Sequence, residues 1–436
     1  MKNISKLIIV TIFLFSGNLK AQEIILISKA AILEKISKNN LTLKISQENF
    51  HKARADYSQT NAIYLPNIKA SHTGIRTTNP LMAFGSKLNQ EVLTAADFNP
   101  VLLNNPKKTQ NFATKIEIQQ PLINLDGVYQ RKAAKYKMQA SLLKTKRTAD
   151  YLKLEVEKAY MQLQLAYKAV EVLEKALKTA KENQKIAENN FQQGYLQQAD
   201  ILTIQVRVTE IKGQLQTAKS NILNVSNYLS FLMNDDTNVI YKSTDNLSVT
   251  TKNNTPINVS ENRADIKAMQ LASDAYMAMN KADKMTFLPR LNAFGSYELY
   301  DNNFFQANAS GYLVGAQLTW SLFEGSKRFG KTQKSKAAFE QSKLEYKQYV
   351  SKSKLELNKA KRQLLDAKNQ LEFTSLSVKQ SKESLRIRKN RFREGLEKTT
   401  DLLMSETLYA QKQLAYYQTV FQYNYTQAYL EFLAKN

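Results

Sequence analysis

Hydrophobic residues recur along this chain in steps of four and three over unusually long stretches. Leu152, Val156, Ala159, Leu163, Ala166, Val170, Leu173, Leu177 and Ala180 form four unbroken heptads, the spacing of a coiled-coil seam. Moved on by 201 positions, Leu357, Ala360, Leu364, Ala367, Leu371 and Val378 repeat the pattern, with Thr374 and Ser381 as polar exceptions. A third run, Ile204, Val208, Ile211, Leu215, Ala218, Ile222, Val225, Leu229 and Leu232, follows the first. The prolines are Pro66, Pro80, Pro100, Pro106, Pro121, Pro256 and Pro289, so 122–255 and 290–436 contain none. Proline breaks a helix interior by removing a donor and clashing with the preceding turn, so these two tracts are where long helices can run. The many alanines in the seam let neighbouring helices approach closely.

A matched break separates the paired helical runs. Gly194 through Asp200-Ile201-Leu202 corresponds to Gly395 through Asp401-Leu402-Leu403, glycine to glycine and aspartate to aspartate at the same offset of 201. Glycine supplies the left-handed conformation that ends a helix, and aspartate near the next start satisfies orphan N–H groups. The spacing predicts two tight hairpins of antiparallel helices. A helix over 127–190 would be about 96 Å long at 1.5 Å per residue.

The rest of each repeat reads as strands. Leu65-Pro66 and Leu288-Pro289 each open an extended segment. Ala293, Gly295, Tyr297 and Leu299 alternate with Phe294, Ser296, Glu298 and Tyr300. Tyr312, Val314, Ala316, Leu318 and Trp320 alternate with Leu313, Gly315, Gln317 and Thr319. Such alternation suits a membrane barrel strand or the edge of a soluble sheet. The first repeat offers 68–77 and 112–120, joined by a stretch holding Pro80, Pro100 and Pro106 that reads as a long surface loop. Four strands cannot close a barrel in lipid, where an open edge leaves backbone groups unpaired. At least two chains must then share one barrel, and a trimer would supply twelve strands.

The N-terminus reads as a cleaved secretory signal over 1–21. Lys2 and Lys6 precede a short apolar core at 7–15, and Ala21 stands at the cleavage position before Gln22. Two structural repeats follow. The first, 22–258, holds a strand pair near 64–122 and a helical hairpin near 127–234. The second, 259–436, holds a strand pair near 287–322 and a hairpin near 326–436.

Composition narrows the chemistry. Cysteine is absent, and His51 and His72 are the two histidines in 436 residues, so neither a thiolate site nor a histidine-rich metal centre is available. No phosphate loop, catalytic triad or supported carboxylate pair stands out, and no enzyme, cofactor or metal is expected. The formal charge of +24 invites a nucleic-acid reading. Its Lys and Arg, however, are interleaved with apolar helical positions, as at Lys175, Lys178, Lys181 and Lys185, which describes a solvated helix face. No nucleic-acid partner is expected.

With these features in order, the chain resembles the TolC-like outer-membrane efflux protein family over its whole mature length. Besides the repeats and hairpins, the resemblance rests on Asn39-Asn40-Leu41, the two Leu-Pro openers, Gln120-Pro121-Leu122, Trp320-Ser321-Leu322-Phe323-Glu324-Gly325 and Arg263-Ala264-Asp265-Ile266. It implies a mixed, mainly α fold, with coiled-coil hairpins forming a periplasmic tube and four strands per chain joining a shared trimeric β-barrel in the outer membrane. It also implies a passive exit duct for efflux or type I secretion. Its partners would be a periplasmic adaptor and an inner-membrane pump, and helix movement at the tips would gate it. On this resemblance Asp401 matches a carboxylate that rings the pore and favours cations, with Glu406 or Glu397 as additional acids because Met404 occupies the usual second acidic position. The alternative reading of Asp401 is a plain helix cap. Asp200 reads as a cap or as an acceptor between hairpins that holds the tip shut, and Gly194 and Gly395 serve the turn geometry; Gly194, Asp200, Gly395 and Glu397 are the candidates for gating at the tip and for adaptor contact. A competing reading is a secreted coiled-coil structural or adhesive protein that binds acidic polymers.

Overall fold

The structure, a computed structural model, describes residues 24–235, 239–250 and 258–435. The expected signal segment lies outside them. In chain order the elements are β1 (Ile24–Ile27), α1 (Lys29–Asn39), α2 (Leu41–Gln59), β2 (Asn67–Thr77), α3 (Pro80–Asn89), α4 (Pro100–Asn104), β3 (Thr109–Ile123), α5 (Leu125–Gln192), α6 (Gln198–Met233), β4 (Ile240–Ser243), α7 (Ala264–Met285), β5 (Arg290–Asp301), β6 (Ala309–Thr319), α8 (Lys327–Arg393) and α9 (Thr399–Ala434). Among the described residues, no helix is long and apolar enough to cross a membrane. Two compact units cut across both sequence repeats. One comprises the described parts of Met1–Gln47, Lys144–Asp265 and Tyr349–Asn436, the other Glu48–Leu143 and Ile266–Gln348.

The first unit is built on the seam. Leu152, Val156, Ala159, Leu163, Ala166, Leu173 and Ala180 are buried along α5, as are Leu357, Ala360 and Ala367 along α8. The polar exceptions Thr374 and Ser381 are buried too. Their hydroxyls donate to the carbonyls of Gln370 (2.8 Å) and Ser377 (2.7 Å) one turn back, which satisfies them without a partner helix. Toward the parallel pair β1–β4 the same seam gathers Ile27, Ile32, Ile36, Leu229 and Tyr241 around Val156 and Leu163. Asn40 sits between α1 and α2, where its Nδ2 donates to the Leu232 carbonyl (2.7 Å) and its Oδ1 accepts from Leu43 N–H (3.0 Å).

The Arg263-Ala264-Asp265 motif pins this unit. Arg263 is only 2% exposed; it donates to Asp265 (2.7 Å), the Leu433 carbonyl (2.7 Å) and Ser353 (2.6 Å). Arg147 approaches Asp265 from α5 (3.1 Å) and lies 3.6 Å over the Phe432 ring. Burial works against a charge on Asp265, yet hydrogen bonds from Arg263 and Tyr349 and the charge of Arg147 hold its carboxyl below the usual range.

The second unit holds an antiparallel sheet of order β2-β3-β5-β6. Its register places Ile68 beside Ile118, Ile116 beside Tyr297, and Tyr297 beside Tyr312, with Val314 and Leu318 further along the same face. The opposite face aligns Lys69, Glu117 and Ser296, and then Ser71, Lys115 and Glu298, with Lys115 3.1 Å from Glu298. The alternation expected from sequence is therefore one apolar and one largely polar face. Among the described residues, the outer edges of β2 and β6 have no strand partner.

The stretch between β2 and β3 is more ordered than a surface loop. Asn79 and Asn99 cap α3 and α4, each followed by proline at the first helical position. Gln90 then ties the segment to the sheet by donating to Asn111 Oδ1 (2.8 Å) and the Gln110 carbonyl (2.9 Å).

Aromatic rings cover two strand glycines. A Cβ on Gly315 would lie 2.7 Å from the Phe294 ring, whereas one on Gly311 in the same strand would meet open space. Gly315→Val should therefore displace Phe294 and cost about 1–3 kcal/mol of stability, as overpacking does. Gly311→Val should be nearly neutral. Thermal unfolding of the two variants in detergent checks this, the expected result being a lowered Tm for Gly315→Val alone.

Candidate functional site

The two hairpin turns form one composite site within the first unit. Each incoming helix ends in the same hydrogen-bond motif. Gly194 (φ 80°) and Gly395 (φ 69°) are left-handed. Tyr195 N–H reaches back to the Asn190 carbonyl (2.9 Å), and Leu396 N–H to that of Arg391 (2.9 Å). Neither glycine has anything within 4 Å of an added Cβ, so the backbone conformation, and not crowding, calls for glycine at both positions.

The outgoing helices then diverge. Asp200 accepts from Gln197 N–H (3.2 Å) and so caps α6 in a reciprocal box. Its counterpart Asp401 makes no such bond to the residue preceding α9. Its carboxylate lies 3.7 Å from Arg388, near the end of α8, with its side chain 45% exposed. Glu397, in the turn, is gripped by Arg388 (2.7 Å) and Arg391 (3.0 Å). Thus Asp200 is a cap, Glu397 a clasp across its own turn, and Asp401 half of an ion pair.

Beneath the turns lies a core that draws on all four helices: Ala187 from α5, Ile201 and Ile204 from α6, Phe392 from α8, and Leu402 and Leu403 from α9. Glu406 follows on α9 and is 6% exposed. The structure therefore places this expected pore acid inside the helical packing, away from any open surface. Asn183 on α5 donates to its Oε1, while its Oε2 and the Asn183 Oδ1 are buried without a hydrogen-bond partner. Burial pushes the Glu406 carboxyl up to about 7, against the opposing pull of the Asn183 hydrogen bond and of Arg207 and Lys389. Those two cations are themselves engaged, Arg207 with Glu210 (3.2 Å) and Lys389 with Glu182 (3.1 Å).

Sequence reading did not find Arg388, Asn183 or Arg207. Arg388 and Asp401 lie nearly the same distance either side of Gly395, so an antiparallel return about that glycine brings them together. That signal was available. Asn183 and Glu406 come from different repeats at non-equivalent positions, and nothing in one sequence joins them.

The family model described as outer membrane efflux protein matches residues 32–235 and 256–434. The chain belongs to the outer membrane efflux protein family. The two matched spans follow the two sequence repeats, and this membership in an efflux family sets aside the reading as a secreted adhesive protein. Comparison with curated protein sequences gave no significant match. Among solved structures, a membrane protein from Pseudomonas aeruginosa is similar at a TM-score of 0.81 and 18% identity, over 93% of this chain and 92% of that one. The CmeC outer membrane channel of Campylobacter jejuni matches at 0.79 and 17%, over 93% and 85%. The outer membrane protein VceC from Vibrio cholerae matches at 0.80 and 14%, over 93% and 96%. At these identities the likeness shows the fold: a mainly helical, TolC-like architecture with a few strands.

In this efflux protein Glu406 gives the turns a pH dependence. Its carboxyl holds a proton more tightly when folded than at its ordinary value of 4.5. Its contribution to stability is therefore full below about 4.5, falls as pH rises toward about 7, and levels off above that. Glu406→Gln should remove this slope. Melting temperatures from pH 4.5 to 8 should show the variant gaining on the wild type as pH rises, and being the more stable at pH 8.

Proposed function

We propose that this protein is the outer-membrane exit duct of a tripartite efflux or type I secretion assembly. Three copies share one twelve-stranded barrel in the outer membrane, and their helical hairpins wall a passage in the periplasm. A periplasmic adaptor and an inner-membrane pump deliver substrate and energy. The duct itself is passive and is gated at the hairpin turns.

The observation that carries this reading is the sheet. One face is apolar and bears Tyr312, Val314 and Leu318 exposed, while the other bears Lys69, Lys115, Glu117 and Glu298. Lipid outside and water inside require that division, and the unpaired edges of β2 and β6 require a strand from another copy on each side. Membership of an efflux family supplies the direction of transport.

Detergent-purified full-length protein should have the mass of three chains and give discrete conductance steps in planar bilayers. A water-soluble monomer without conductance would overturn the assignment.

A further inference from the structure

Between β2 and β3 the chain builds a compact element that the sheet itself does not need. α3 turns one side to the strands, where Ala83, Ser86 and, just past its end, Gln90 are buried at spacings of three and four. The helix packs against β3 and β6. Gln90 Nε2 donates to the Gln110 carbonyl (2.9 Å), to Asn111 Oδ1 (2.8 Å) and to the Asp301 carbonyl (3.3 Å). Lys87 pairs with Asp97 (2.6 Å) and Phe84 meets the Phe98 ring, which fixes the chain's return toward α4.

Strand alternation tells which face of the sheet α3 covers. Asn111 shares a face with Lys115 and Glu117. Thr109 and Asn111 are buried, whereas Gln110, which points the other way, is exposed. On β6, Ala309 is buried opposite Tyr300, on the face of Glu298. The element therefore folds onto the polar face. It does so at the end of the sheet away from the helices, since β2 follows α2, β3 runs into α5, β5 follows α7 and β6 runs into α8 at the other end.

The opposite side of α3 carries Leu81, Gly85 and Leu88, again spaced four and three apart. Leu81 is 81% and Leu88 55% exposed, an apolar stripe turned away from the wall. Gly85 lies between them in mid-helix. Its backbone is not left-handed, and an added Cβ would meet nothing within 4 Å. Glycine weakens a helix interior relative to alanine, and nothing among the described residues makes use of the missing side chain. A glycine flanked by two exposed leucines is a surface on which another helix can lie close.

We infer that the α3 helices of three copies meet on the barrel axis through Leu81, Gly85 and Leu88, closing the outer mouth of the duct with an apolar plug. The inference rests on the duct reading, which puts the polar face inside a twelve-stranded barrel and the end away from the helices outside the cell. Strands about 4.8 Å apart and tilted by about 40° give such a barrel a width of about 24 Å between backbones. Three helices, each about 10 Å in diameter and lying against its wall, reach the axis and leave no open bore. Each stripe is thus covered by the same stripe of the two other copies. A dry apolar constriction holds back water and ions by dewetting, so the duct is shut at its outer end independently of the hairpin turns.

The chain has no cysteine, so one introduced thiol reports the contact. Full-length Leu88→Cys is oxidised in cell envelopes and separated on a non-reducing gel. About two-thirds of the chains should run at the mass of two, because the third thiol of each threefold set has no partner. Tyr312→Cys, on the apolar face of β6, should stay at the mass of one chain. Adding Gly85→Leu to Leu88→Cys should lower the yield severalfold by holding the helices apart. A detergent-stable trimer in which Leu88→Cys links no more than Tyr312→Cys overturns the inference, as does a product with a different protein. An unchanged yield with Gly85→Leu overturns the close approach at Gly85. A monomer in detergent would instead overturn the duct reading.

Discussion

Two helices of 68 and 67 residues, α5 and α8, hold their places through one narrow stripe of small side chains. Alanine at Ala159, Ala166, Ala180, Ala360 and Ala367 sets how closely neighbouring helices lie, and that closeness is what lets such polar helices pack at all. Each buried alanine contributes little area, so stability has to accumulate along the seam. The two polar exceptions on α8, Thr374 and Ser381, enter the seam without cost in unpaired groups because each hydroxyl donates to a carbonyl one turn back. Most of the lysine and arginine then occupies the outer helical surface, and buried exceptions such as Arg263 are held by partners inside the packing.

The sheet answers to a different constraint. Its interior strands satisfy their backbone groups within the chain, while β2 and β6 each leave one row open. In water such edges invite unwanted pairing, and in hydrocarbon they are not tolerated. The helical seams complete their own packing within the chain, whereas the sheet leaves both outer edges without a strand partner among the described residues. The Lys115–Glu298 pair belongs to the same logic, since a cross-strand ion pair on the polar face keeps both charges away from the apolar one.

The seam, the two turns and the strand pairs were legible because each rests on local periodicity or on one conformational demand, such as left-handed backbone at Gly194 and Gly395. The duplication made them more so, since each feature was written twice. The segment between β2 and β3 was read only as a surface loop, although Asn79-Pro80 and Asn99-Pro100 are both helix-start signals. Short helices have no periodicity to show, and the capping dipeptides had to carry the whole signal. The parallel pair β1–β4 escaped because four residues give too short a pattern and its partners lie more than 200 positions apart. At the turns, residue types were visible but pairings were not. Asp200 and Asp401 look alike in sequence, yet the first caps its helix and the second faces Arg388. Glu406 looked available because its position near Asp401 says nothing about the side on which α9 is covered.

The core beneath the turns also restricts which motions are open to this region. Phe392 is nearly inaccessible and sits with Ala187, Ile204 and Leu402, so that all four helices contribute to a single cluster. Prising the α5–α6 hairpin from the α8–α9 hairpin would expose that cluster and strand the Glu406–Asn183 contact in mid-air. Within one chain, the two hairpins are therefore fastened together at their ends as well as along their seams.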